Sequence, residues 1–319
     1  MRNSVKVLIL AILSVVFVAF FLGKGLTIDN YQFFLSRRIP KVLAIVIAAI
    51  AIAASSLVFQ TITNNRILTP SILGFDSLYV MLQVLMVVLF GSMSPLVINA
   101  GLNYVVTTSI MLVLAMTLFG FYFRRGNRNI FTLLLIGIVL SSLFSSVTGF
   151  FTMLVDPNEF TMIQGAMFAS FNNVNGDLVY WSLIPLAVST AYLLYLAPKL
   201  DVFWLGIDNA KSLGVDTQKV TMQVMFVITI LVSISTVLVG PVLFFGLIVV
   251  ALTRQIFSGY QHRFLLLASS LLSMAMLISG QWIVENLLDF ETTISVIINF
   301  VGGIYFLVLL SKQKSLIRI

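Results

Sequence analysis

Side chains able to do covalent or metal chemistry are scarce in this chain, which has one histidine, His262, and no cysteine. Disulfides, thiolate metal sites and a cysteine nucleophile are thereby excluded. No H-E-x-x-H, G-x-S-x-G or G-x-x-x-x-G-K-[ST] pattern occurs, so the usual parts of a zinc protease, a serine hydrolase or a phosphate-cradling ATP loop are missing. His262 stands beside Arg263 between two apolar stretches and reads as a solvated loop histidine. These residues predict no catalytic site, no metal and no cofactor. Any uphill movement of a solute would then draw its energy from a partner.

The composition explains where such a chain can exist. Of 319 residues, 60% are hydrophobic and 9% charged, with mean hydropathy +1.11. Soluble domains carry about 25% charged residues, so lipid must face most of this surface. Stretches between charges repeatedly match the roughly 20 residues that cross a bilayer core: 7–23, 42–65, 129–155, 178–198, 264–284 and 292–311. Two longer stretches read as hairpins. One runs from Asp76 to Arg124 and is broken around Ser94-Pro95; the other runs from Lys219 to Arg254 and is broken at Gly240-Pro241. The sum is ten transmembrane helices in a single domain over 1–319.

The net charge of +7 is a topology signal. One face holds Arg2, Lys6, Arg66, Arg124, Arg125, Arg128, Lys199, Lys211, Lys219, Arg254, Arg263, Lys312, Lys314 and Arg318. The other keeps Lys24, Arg37, Arg38 and Lys41 among seven acids, including Asp29, Asp156, Glu159 and Glu285. The positive-inside rule makes the first face, with both termini, cytoplasmic. The basic start is read as the first span, since Phe17–Leu22 lacks a small-x-small cleavage pattern. Phe160–Gly176 is uncharged but carries Gln164, Asn172, Asn173 and Asn175, with apolar spacing at Met162, Ala166 and Ala169. It predicts a short outer-side helix between spans five and six. Every charge falls near a span end, with Asp76 marginal, which disfavours an ion-coupled transporter. Gly137, Ser141, Ser145 and Gly149 form a small-residue stripe on span five, and the Ala-rich run Ala44–Ala54 suggests that span two is buried.

Three stretches together carry a family resemblance. Arg37-Arg38-Ile39-Pro40-Lys41 opens span two, and Asn64-Asn65-Arg66-Ile67-Leu68-Thr69-Pro70 to Gly74 follows it. Leu205 to Val215 contains Gly206-Ile207-Asp208-Asn209-Ala210-Lys211-Ser212-Leu213-Gly214. Gly240-Pro241 to Ile248 precedes Arg254 and His262-Arg263. These resemble the "RLPR … NPLA-x-P-x-LLG", "LGEE-x-A-x-x-LG" and "GPIGFVGLIVPH-x-x-R … DHR" patterns of the FecCD family, permease subunits of iron-siderophore, haem and cobalamin ABC importers. Val250-Ala251 and Gly302-Gly303-Ile304 depart from the family wording. The run from Asn65 to Tyr79 is similar to the two-permease, catecholate-type branch that includes petrobactin and anguibactin importers.

The resemblance implies an all-α polytopic permease of the bacterial inner membrane that passes ferric siderophore inward. Its implied partners are a second FecCD-type permease, as heterodimer or homodimer, two ATP-binding subunits that hydrolyse the ATP, and a substrate-binding protein; no nucleic acid is implied. Arg37, Arg38 and Lys41 are implied to dock the binding protein. Gly206, Asn209, Ala210, Lys211, Ser212, Leu213 and Gly214 would form a cytoplasmic coupling helix between spans six and seven. Asn65 and Ile67 would narrow the inner exit. A cobalamin or haem importer of the same family remains the alternative, with an ion-coupled transporter as a different class.

Overall fold

A computed structural model describes residues 3–124, 130–172 and 174–316. Arg2, Arg125, Arg128, Asn173 and Arg318 lie outside the described residues, as do the side chains of Arg124, Met162, Lys312 and Lys314. The described residues form thirteen α-helices: α1 Asn3–Gly23, α2 Tyr31–Ile62, α3 Phe75–Phe90, α4 Pro95–Ile98, α5 Ala100–Arg124, α6 Ile130–Thr152, α7 Pro157–Met167, α8 Gly176–Phe203, α9 Ile207–Ser212, α10 Thr217–Val239, α11 Phe245–Ile256, α12 His262–Asn286 and α13 Ile294–Leu316. Seven of them (α1, α2, α5, α6, α8, α10 and α12) are long and apolar enough to cross a membrane, and α3, α11 and α13 are shorter apolar helices. Both long stretches are broken where expected, at 91–99 and 240–244, and α3 packs against α5 while α11 packs on α2, α12 and α13.

The α2 helix is the axis of the bundle. It packs against α8, α10, α11 and α12, and Ala44, Ala48, Ala49, Ala51 and Ala53 are fully buried. Small side chains let neighbouring backbones approach closely where lipid supplies no hydrophobic drive for association. Gly246 of α11 shows how close: a Cβ there would collide with Ser56 of α2.

The stripe on α6 receives a turn of the same chain. Pro70–Leu73 forms one 3₁₀ turn, and Gly74 follows in the left-handed region at φ +87°. A Cβ on Gly137 would lie 2.8 Å from Leu73 Cα, and one on Gly74 would lie 3.2 Å from the Ser141 backbone. Ser77 and Ser141 share a hydrogen bond of 2.8 Å. Ser141 is the middle residue of the 23-residue α6, so this turn re-enters the bundle to about mid-depth. Gly149, at the far end of the stripe, meets nothing.

One expectation changes here. The short helix between α6 and α8 spans Pro157–Met167, earlier than Phe160–Gly176. Pro157 starts it, since a first-turn proline sacrifices no hydrogen bond. Beyond it the chain is pinned, with the Ser170 N–H donating to the Val239 carbonyl and Ala169 against Gly240. Asp76, the marginal charge, lies in the first turn of α3 next to Ser77, which bonds the middle residue of α6.

Candidate functional site

Polar clusters that include sequence-predicted residues lie at opposite ends of the bundle. At the end bearing the α1–α2 connection, Lys41 pairs with Glu285 of α12 at 2.8 Å, each side chain being 17% exposed. Gln281 sits one turn before Glu285, and its amide donates to both Glu285 (2.8 Å) and Asn172 (2.9 Å). Lys41 also reaches Asn172 at 3.4 Å. Four side chains from three segments thus close one network around an ion pair. Asn172 belongs to the pinned stretch after α7.

The docking expectation for this end is revised by that geometry. Arg38 donates to the carbonyls of Leu22 (3.0 Å) and Lys24 (2.6 Å), satisfying groups that the end of α1 leaves open. Lys41 is held by Glu285. Of the three basic residues only Arg37 is exposed, its guanidinium lying 4.6 Å from the Phe33 ring and outside any ion pair among the described residues.

The opposite end gathers the ends of α2 and α8 with the starts of α9 and α12. His262, expected in solvent, is fully buried. The reason is Asp201: its Oδ1 accepts from the His262 backbone N–H and contacts ring Nδ1, both at 2.6 Å. An aspartate from α8 thereby caps the N-terminus of α12, where the helix dipole favours negative charge. The other ring nitrogen, Nε2, lies 2.8 Å from Thr61 Oγ1. Thr61 can also donate to the Leu57 carbonyl at 3.0 Å. A neutral imidazole donating through Nδ1 would accept from Thr61; a charged one would donate to Thr61 and leave that hydroxyl to Leu57. Proton count at one ring therefore selects the partner of a residue at the end of α2.

A second contact joins the same segments. Trp204 directly follows α8, and its ring lies 5.9 Å from the Arg66 guanidinium and 4.6 Å from that of Arg254. Arg254 has its three guanidinium nitrogens buried without a hydrogen bond, so stacking on the indole is its visible partner. Arg66 belongs to the turn after α2. There Asn64 takes φ +48°, and Asn65 Oδ1 accepts from the Ile67 N–H at 3.0 Å, so Asn65 and Ile67 are brought together by a local Asx turn.

The expected coupling segment forms α9, a helix of six residues between left-handed glycines Gly206 (φ +92°) and Gly214 (φ +82°). Asn209 donates to the Leu205 carbonyl at 2.6 Å and Ser212 to that of Asp208 at 3.1 Å, while Lys211 pairs with Asp208 at 3.3 Å. Asn209, Lys211, Ser212 and Leu213 are exposed. Ala210 is the correction: it is fully buried and anchors the helix instead of being offered to a partner.

Sequence reasoning missed Asp201, Thr61, Trp204 and Gln281. The i, i+4 spacing of Gln281 and Glu285 was the available signal for the network around Lys41. Nothing local marks Asp201 as a partner of a histidine 61 residues away. The interior carboxylate Asp76 has Oδ2 buried without a hydrogen bond, and the hydroxyls of Ser71 and Thr236 are the polar groups beside it. A neighbouring cavity of about 710 Å³ is lined largely by apolar residues such as Leu73, Phe75, Leu118 and Phe144, and among the described residues no charged side chain lines it.

Comparison with known proteins agrees with the resemblance. The profile of the FecCD transport family matches residues 4–312. The petrobactin import system permease protein YclO of Bacillus subtilis is 47% identical over 314 residues, covering 98% of this chain and 99% of that protein. The petrobactin import system permease protein FatC of Bacillus anthracis is 33% identical over 293 residues, 91% of this chain and 82% of its own length. A solved metal-chelate type ABC transporter in an inward-facing conformation superposes with TM-score 0.82 at 23% identity, covering 98% of this chain and all of that one.

Proposed function

The chain belongs to the FecCD transport family, and from that premise we propose that it is the membrane permease subunit of an ATP-driven importer of ferric siderophore, of the petrobactin class. The observation that carries this reading is the 47% identity to a petrobactin import permease along nearly the whole of both chains. In this reading the shorter apolar helices α3, α11 and α13 join the seven long ones to make ten membrane spans. The protein sits in the bacterial inner membrane with both termini in the cytoplasm, as the basic residues at that end favour. It works with a second FecCD-type permease, two ATP-binding subunits and a substrate-binding protein. Covalent chemistry is left to the ATPases.

In this mechanism the binding protein docks at the outer rim, where Arg37 offers an exposed positive charge and the Lys41–Glu285 network keeps the rim rigid. Such charges chiefly orient the encounter and set its rate. ATP binding displaces α9 through Asn209, Lys211, Ser212 and Leu213. A short helix of this kind moves as a rigid body. Its root is tied to the end of α2 through Asp201–His262–Thr61 and to the turn after α2 through Trp204–Arg66. Displacement of α9 is thereby passed to Asn65 and Ile67, which narrow the inner exit.

Co-expression with the neighbouring genes tests the assembly. The tagged chain should co-purify with an ATP-binding subunit and a second permease, and Leu213→Asp on α9 should release the ATPase while the permease pair persists. Recovery of the chain alone under all detergent conditions would contradict the proposal.

A further inference from the structure

A cavity of about 530 Å³ lies between the inner-end parts of α8 and α10, beside the end of α9. Its polar lining is Tyr192, Tyr195 and Lys199 from α8 with Lys219 and Gln223 from α10; Leu196, Val215 and Val220 are apolar lining residues. The spacing is regular: 192, 195 and 199 share one face of α8, and 219 and 223 one face of α10. Among the described residues, neither lysine ammonium makes an ion pair, and no hydrogen bond engages the two phenols or the Gln223 amide. The one acid in the lining, Asp216, has Oδ1 committed to the Lys219 backbone N–H at 3.0 Å. Two cations and three neutral polar side chains thus converge on a space that no described residue fills.

We propose that this cavity binds the phosphate headgroup of an anionic phospholipid. The shared chemistry is a phosphate monoanion held by two ammonium groups with phenol donors around it. What favours a lipid over free phosphate is the face of α8 above the cavity. Trp181, Ile184 and Val188 are 71%, 64% and 65% exposed, and at 100° per residue they fall on the same stripe as Tyr192, Tyr195 and Lys199. From Val188 to Lys199 is roughly 16 Å along the axis, about one leaflet of a hydrocarbon core roughly 30 Å thick. An acyl chain lying on this stripe ends with its headgroup at the lysines. Basic pockets between spans at the positively charged face suit anionic lipids. The proposal rests on the membrane-spanning reading alone and is independent of the cargo.

Native mass spectrometry of the full-length chain in detergent, titrated with phosphatidylglycerol or phosphatidylcholine, tests it. Phosphatidylglycerol should be retained at activation energies that strip phosphatidylcholine. Lys199→Gln and Lys219→Gln should each weaken phosphatidylglycerol binding about fivefold, as expected for one lysine near a membrane surface. Arg263→Gln, at the same end but outside the cavity, should leave it unchanged. Equal retention of both lipids overturns the site, as does an equal effect of Arg263→Gln, which would signal bulk charge. Inorganic phosphate displacing phosphatidylglycerol at equal concentration would make it a free-anion site and overturn the lipid assignment. Protection of both lysines from an amine-reactive label by the ATP-binding subunit, with no protection by phosphatidylglycerol, would make it a protein contact and overturn it equally.

Discussion

His262 Nδ1 lies 2.6 Å from Asp201 Oδ1, and this contact ties the start of α12 to the end of α8, three residues before Trp204 and the root of α9. Through Nε2 the same ring reaches Thr61 at the end of α2. One buried imidazole therefore joins the helix proposed to receive force to the turn proposed to close the exit. Replacing His262 by Ala should cost about 2–3 kcal/mol, as for a hydrogen-bonded buried polar group. In the assembled transporter it should lower substrate moved per ATP several-fold while ATP hydrolysis persists. A parallel fall in both would mark His262 as a purely structural clamp.

At the other end, Lys41 and Glu285 are read as a brace. Lys41→Glu alone should destabilise the chain, and adding Glu285→Lys should recover a coupling of about 1 kcal/mol, the upper range for a partly exposed pair. Thermal unfolding in detergent measures both. Were Lys41 instead a docking residue, the double variant would unfold normally yet fail to engage the binding protein.

Arg37 carries an exposed positive charge at the rim, outside any ion pair among the described residues. Arg37→Glu should slow association of the binding protein several-fold at low ionic strength, an effect that shrinks toward physiological salt as screening shortens to about 8 Å. Stopped-flow or surface-binding rates decide this, and an unchanged on-rate at low salt would remove Arg37 from the docking surface.

Gly74, packed against the α6 stripe, and Gly149, at the far end of that stripe, should respond differently. Gly74→Ala places a Cβ at φ +87°, 3.2 Å from the Ser141 backbone, and should cost about 1–2 kcal/mol from the left-handed backbone alone. Gly149→Ala meets nothing within 4 Å and should be neutral or slightly stabilising, because alanine is the better helix former. Paired unfolding curves test the re-entrant turn directly.

How much of this was legible depended on sequence distance. Span two announced its burial through Ala44–Ala54, and α9 was marked by Gly206 and Gly214, because helix periodicity and left-handed turns are local properties. The stripe on α6 predicted a close approach and left open what would approach; the turn at Pro70–Gly74 fills it, a pairing fixed by tertiary contact. His262 was misread because its surroundings are set by Asp201 and Thr61, distant in sequence. Asp76 was marked as the marginal charge, and hydropathy alone cannot show that the start of α3 packs against the middle of α6. The outer helix was misplaced because a hydrogen bond from Ser170 to Val239 ends its reach.

Asp76 also supplies the sharpest contrast with an ion-coupled mechanism, in which an intramembrane carboxylate would be required. In an ATP-driven permease, Asp76→Asn should retain ATP-dependent uptake to within a few-fold.

The most direct test is uptake by sealed vesicles containing this chain, its partner permease, the ATP-binding subunits and the binding protein. The account predicts that a ferric catecholate chelate enters only with ATP, well above ferric hydroxamate, haem or cobalamin, and that uptake survives collapse of ion gradients. Entry driven by an ion gradient without ATP, and abolished by Asp76→Asn, would contradict it.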